Sequence, residues 1–107
     1  MSVASNSVEQ ALGSVQVAEI LGVHPRTVER RQASKTRLNR LQVQRQEKLR
    51  RVWKELQEMF DPDQALQWLR TPLPAAEFRR PLDVMADDGG LDRILELIGR
   101  MSWGIPV

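Results

Sequence analysis

The sequence reads as all-α: an N-terminal helix-turn-helix, a long linking helix and a small C-terminal helical domain. Three observations carry that reading. Leu49, Val52, Trp53, Leu56, Met59 and Phe60 recur three and four apart, and so do Leu91, Ile94, Leu95, Ile98 and Met101; this is the spacing of one helix face. Ala18, Gly22 and Val28 stand where two helices meet across a tight turn. Asp61-Pro62-Asp63 opens a helix and Thr71-Pro72-Leu73-Pro74 closes it.

Taken in order, residues 1 to about 5 read as frayed. A short helix then runs from Asn6 or Ser7 to Leu12, with Val8, Ala11 and Leu12 inward and Gly13 ending it. Ser14 is a good N-cap for a second helix with Val17, Ala18 and Leu21 on one face. Gly22 permits a left-handed turn, and Pro25 favours a third helix start. Small Ala18 lets the two helices approach. A generic αα-corner has the same outline, but the basic second helix favours DNA recognition.

Ser34 to Arg37 reads as a polar connector and Leu38 to Phe60 as one long helix. Asp61 caps a short helix whose apolar faces carry Ala65, Leu66, Trp68 and Leu69. Another short helix starts near Pro81 with Leu82, Val84 and Met85. Asp87-Asp88-Gly89-Gly90 is a turn, and a last helix runs from about Leu91 to Met101. The chain ends on Ser102-Trp103-Gly104-Ile105-Pro106-Val107. Termini are usually polar, so this apolar ending admits two readings. Either it folds back on its own core, or it is held out for a partner.

Charge divides the chain. The first sixty residues hold 11 Lys/Arg against 6 Asp/Glu, and the remainder 5 against 8, within a net charge of +2. A basic half beside an acidic half points to two surfaces with different partners, the basic one for phosphates. The reading places a DNA-binding region at 1–48 and a second helical domain at 49–107. In the recognition helix His24, Arg26, Thr27, Glu29, Arg30 and Gln32 or Ala33 face outward. Arg26 and Arg30 suit guanine edges, and Thr27 or a backbone N–H suits a phosphate. His24 is a turn or phosphate-side residue. Arg31 occupies a place often apolar in such helices and points to the phosphate backbone or caps another helix. Lys35, Arg37 and Arg40 extend the phosphate grip, against the alternative of a plain solvated face. Charges beyond Lys48 read as solvent-facing or interfacial, and the upper part of the long helix could pair with its copy in a dimer.

One histidine, no cysteine, no tyrosine and no phosphate-cradling glycine loop leave no catalytic constellation, no metal site and no cofactor to expect. Asp87-Asp88-Gly89-Gly90 lacks the spaced ligands of a calcium loop. No apolar run approaches membrane-span length and the N-terminus shows no leader pattern, so a cytoplasmic protein with no membrane partner is expected.

From about residue 50 the order Trp68-Leu69, Thr71-Pro72, Pro81-Leu82-Asp83, Gly90, a hydrophobic helix and Gly104 resembles the Xre/MbcA/ParS-type toxin-binding antitoxin domain. The family often carries glycine just before the Arg-Pro-Leu-Asp step, where this chain has Phe78-Arg79-Arg80. The resemblance implies the antitoxin of a type II pair that inhibits a RES-type, NAD-consuming toxin. It also implies that the extreme C-terminus enters the toxin's active-site cleft, and that the N-terminal region binds the operon's own promoter as a dimer. The toxin-facing residues are then Trp68, Arg79, Arg80, Trp103, Gly104, Ile105, Pro106 and Val107. Trp103, Ile105 and Val107 would fill apolar pockets, the terminal carboxylate would meet groups that otherwise hold NAD phosphates, and Arg79 and Arg80 would meet acidic groups. Homodimers and larger toxin–antitoxin assemblies are expected partners. The competing readings are a dimeric helix-turn-helix regulator with no toxin, and an adaptor whose helix-turn-helix has lost DNA binding.

Overall fold

The computed structural model describes residues 7–33 and 38–107. The expected N-terminal fraying and the Ser34–Arg37 connector lie outside them. The described residues form seven helices: α1 (Val8–Leu12), α2 (Ser14–Leu21), α3 (Pro25–Ala33), α4 (Arg40–Gln57), α5 (Pro62–Leu69), α6 (Pro81–Met85) and α7 (Gly90–Ser102). A 3₁₀ turn covers Pro74–Ala76. The molecule measures 41 × 36 × 19 Å, and its short axis holds two layers of helices.

Local signals account for most boundaries. Asp61 accepts a hydrogen bond from the Gln64 N–H (2.8 Å), and the Gln64 side chain accepts one from the Asp61 N–H (3.2 Å). This reciprocal cap, with Pro62 next to it, starts α5 where expected. The same device shortens the long helix. Asn39 and Gln42 form a second reciprocal cap, so α4 begins at Arg40, and it ends at Gln57, a turn before Asp61. Leu38 packs half-buried against the core outside the helix. Ser14 is the first residue of α2 and Gly13 its cap; the serine hydroxyl instead donates to Glu29 Oε2 of α3 (3.0 Å). The last helix starts at Gly90, one residue early.

A single apolar cluster runs through the fold. It joins Val8, Val17, Ile20 and Val28 to Leu49, Val52, Trp53 and Leu56 of α4, and these to Ala65, Leu69, Leu82, Val84, Met85, Ile94, Leu97 and Ile98. α4 is the shared wall: it packs on α1, α2, α5 and α7, while α1 also touches α5 and α2 touches α6. Ile20 and Leu97 are buried with the residues that periodicity singled out.

Glu9 of α1 is the polar pin between α1 and α4. Its side chain is 11% exposed and accepts from Ser7 Oγ (3.0 Å), Gln46 Nε2 (3.3 Å) and Arg50 Nε (3.1 Å). Burial pushes its carboxyl up, but the local backbone N–H, the Arg50 charge and the hydrogen bonds from Ser7 and Arg50 together outweigh it. The net position is below the ordinary 4.5. A depressed carboxylate stabilises the fold above its unfolded value and stops doing so as pH falls through its folded value. Thermal melts should therefore hold level from neutrality to about pH 5 and fall below it. Glu9→Gln should lower stability by about 1–2 kcal/mol at pH 7 and flatten part of the acid drop. An unchanged acid limb in that variant would remove Glu9 as a cause.

Candidate functional site

The C-terminal tail is shaped by the end of α7. Gly104 adopts φ +79, the Ile105 N–H donates to the Arg100 carbonyl (2.9 Å) and the Gly104 N–H donates to the Met101 carbonyl (2.9 Å). This pair of bonds is the Schellman helix ending, which requires a left-handed residue and favours glycine. It turns the chain sharply, leaving Trp103 85% exposed and Ile105 51% exposed. Pro106 is exposed, while Val107 packs half-buried against the core. Of the two readings of the tail, outward projection holds for Trp103 and Ile105 and folding back holds for Val107.

The loop between α5 and α6 makes a second feature. Leu73 and Arg79 form an antiparallel bridge, the Leu73 N–H donating to the Arg79 carbonyl (3.1 Å). The Phe78 N–H donates to the Leu73 carbonyl (2.8 Å). Closing so tight a loop places Glu77 at φ 59 and Phe78 at φ 62. Both are side chains that pay a steric penalty there. Phe78 is 73% exposed. Sequence reasoning did not predict this conformation, since neither Glu77 nor Phe78 is a residue that ordinarily adopts the left-handed region.

The charges around the loop are partnered within the chain. Arg79 Nη1 meets Asp87 Oδ2 (2.6 Å), and Arg80 donates to both Asp83 oxygens (2.8 and 2.9 Å). Arg93 meets Glu77 (3.6 Å) and donates to the Ala75 carbonyl (3.0 Å). The Arg80 hydrogen bonds hold Asp83 below its ordinary 3.8, and those from Arg79 do the same to Asp87; both arginines are raised in turn by their partners. Arg79 and Arg80, expected to meet acidic groups on a partner, are thus held by the chain's own carboxylates. Trp68, also expected to face a partner, is half-buried on α5 and packs against the core.

At the other end, the Gly22 turn brings α3 across α2. Ala18 and Val28 are buried at the crossing, as the spacing required. His24 is an exposed turn residue whose Nδ1 accepts the Arg26 N–H (3.1 Å), and its carbonyl accepts the Thr27 N–H (2.9 Å). The imidazole therefore acts as a cap for α3. Arg26 is exposed and Thr27 half-buried. Lys35 and Arg37 lie outside the described residues, as do the side chains of Arg30 and Arg31. Arg40 is exposed at the start of α4.

The charge asymmetry is partly satisfied inside the molecule. Two pairs cross between the halves, Arg45 of α4 with Asp88 (3.0 Å) and Lys48 with Asp92 (2.9 Å), while Arg50 meets Glu9 (3.1 Å) and Arg51 meets Glu55 (2.8 Å) within the first half. The pairs other than Arg50–Glu9 are exposed and contribute little stability each, but they occupy charges that the sequence left free. Among the described residues no group of three His, Asp or Glu side chains is placed to hold a metal, and no helix is long and apolar enough to cross a membrane.

Residues 55–104 match the profile of the antitoxin Xre/MbcA/ParS C-terminal toxin-binding domain. The mycobacterial cidal antitoxin MbcA of Mycobacterium tuberculosis is 34% identical over 105 residues, covering 97% of this chain and 92% of that protein. The antitoxin Xre of Photorhabdus laumondii is 27% identical over 95 residues, covering 87% of this chain and 64% of that protein. Among solved structures, a chain of the M. tuberculosis MbcT–MbcA toxin–antitoxin complex superposes over 100% of both chains, with a TM-score of 0.75 and 34% identity. Relatedness along nearly the whole length, together with the domain profile over the C-terminal half, means that this chain belongs to the Xre/MbcA/ParS antitoxin family.

Proposed function

We propose that this chain is the antitoxin of a type II pair, binding and inhibiting a cognate RES-type, NAD-consuming toxin through residues 49–107. Trp103, Gly104, Ile105, Pro106 and Val107 enter the toxin's active-site cleft and block access to it. Residues 1–48 grip operator DNA as a dimer, with Arg26, Thr27, Arg30, Arg31, Lys35 and Arg37 on bases and phosphates and His24 shaping the turn that presents them. In this way the pair autoregulates its operon, and toxin-bound dimers form larger hetero-oligomers. The observation that carries the reading is the outward tail: Trp103 and Ile105, two large apolar side chains within three residues, are 85% and 51% exposed, and adjoining exposed apolar groups mark interaction sites.

Co-expression with the product of the adjacent open reading frame tests the first half, and a stable copurifying complex is expected. For the second half, a mobility shift with the operon's promoter should show a salt-sensitive complex. Arg26→Ala with Arg30→Ala should weaken it by roughly 1–3 kcal/mol per contact. A promoter bound no better than unrelated DNA would leave a toxin partner without autoregulation.

A further inference from the structure

The α5–α6 loop holds an aromatic side chain in a position its backbone disfavours. Phe78 sits at φ 62 beside Glu77 at φ 59, and 73% of it faces solvent. Such a conformation persists only where the surroundings over-determine it. Here they do: the Leu73–Arg79 bridge closes the loop, the Phe78 N–H is taken by the Leu73 carbonyl, and Arg93 clasps the Ala75 carbonyl and Glu77. Glycine would meet the same backbone demand without strain. The phenyl ring packs little within the chain, so folding does not explain it.

The surroundings of the ring identify what it fits. Its charged neighbours are already matched: Glu77 with Arg93, Arg79 with Asp87, and Arg80 with Asp83. An apolar anchor rimmed by neutralised ion pairs is the arrangement of a binding hot spot, in which the rim excludes water and the central side chain supplies the affinity. Phe78 also lies midway in the 55–104 stretch that matches a toxin-binding domain.

We infer that Phe78 is a second anchor for the toxin, separate from the tail, inserting into an apolar pocket on the toxin surface whose rim carries little net charge. This rests on the proposed function above and adds to it a residue and the chemistry of its receptor. It also reassigns Arg79 and Arg80 from reaching acidic toxin groups to framing the anchor.

The test is a split between stability and binding. Phe78→Gly should raise the melting temperature of the free chain by roughly 4–8 °C, as the left-handed strain is relieved. The same variant should bind the purified product of the adjacent open reading frame at least about tenfold more weakly by calorimetry. Phe78→Leu should melt near wild type and bind within a few fold, because it keeps both the strain and an apolar anchor. A Phe78→Gly chain that binds like wild type overturns the inference while leaving the antitoxin reading standing. So does one that melts lower, since the ring would then be part of the fold. If the wild-type chain itself does not bind that product, the proposed function fails first and this inference with it.

Discussion

Replacing Gly90 by alanine should unfold the C-terminal half at temperatures the wild type tolerates. A Cβ at this position would lie 1.6 Å from the Val84 carbonyl oxygen, 2.6 Å from its carbon and 3.2 Å from the Met85 Cα. All three are backbone atoms, so no side-chain rotation relieves the overlap. Nor is α6 free to withdraw, because Pro81, Leu82, Val84 and Met85 are all buried. The methyl group must therefore push α6 and α7 apart and open the core beside Ile94 and Leu97. Overpacking against fixed backbone of this kind costs about 3 kcal/mol. For a chain this size that is a fall in melting temperature of roughly 12 °C or more. Gly99→Ala is the control, since its Cβ would meet nothing within 4 Å and lies inside α7. That variant should be neutral or gain up to about 1 kcal/mol from helix propensity. Thermal denaturation followed by circular dichroism reads both. A Gly90→Ala chain melting within a few degrees of wild type would show that the two helices do not cross so closely.

Ending the chain at Ser102 should abolish neutralisation of the toxin and leave the fold in place. Trp103 and Ile105 contribute little to the chain's own core, being largely exposed, and Val107 is only half-buried. Truncation also removes the three backbone hydrogen bonds that Trp103, Gly104 and Ile105 donate to the Arg100 and Met101 carbonyls, which water can replace. The expected loss of stability is about 1 kcal/mol. In a complex the account changes sign. A tryptophan buried at an interface centre commonly contributes 2 kcal/mol or more, and an accompanying isoleucine adds to it. Affinity should fall by a factor on the order of 10² to 10³. Trp103→Ala combined with Ile105→Ala keeps Gly104 and Val107 and should reproduce most of the effect. Growth rescue of toxin-expressing cells and calorimetry on purified proteins are the measurements. Rescue by the truncated chain would refute the plug.

The parts legible in the sequence are those governed by neighbours a few residues away. Asp61-Pro62 with Gln64 encodes the start of α5 because cap and partner lie within one turn, and the melting of that signal into Thr71-Pro72 encodes its end. The Ala18–Gly22–Val28 crossing was readable because a small residue, a left-handed turn and a β-branched contact each have a fixed place in it. The same logic could have located the start of α4: Asn39 and Gln42 have the spacing of a reciprocal cap, but the apolar Leu38 drew the helix two residues too early.

Other features depended on segments far apart. Arg45 and Asp88 are 43 residues apart, and Lys48 and Asp92 are 44 apart; composition showed a basic half and an acidic half but not that they pair. Arg79 looked free because its carboxylate, Asp87, comes from the turn beyond α6; Arg80 and Asp83 are only three residues apart, a local pair whose spacing was legible. Leu97 escaped the a-stripe of α7 because α6 and α4 flank that helix and bury a wider face than one packing partner would.

Helix positions, their caps, the turn of the N-terminal pair and the apolar character of the ending were all present in the order of residues. These are short-range free energies, settled between groups that the chain itself holds within a turn or two. Whether Trp103 faced inward or outward, why Gly90 admits no side chain, and that Phe78 is held in a left-handed bend were decided by tertiary packing. Exposure and close approach depend on which distant surfaces arrive at a site and how much room they leave, and no local pattern carries that information.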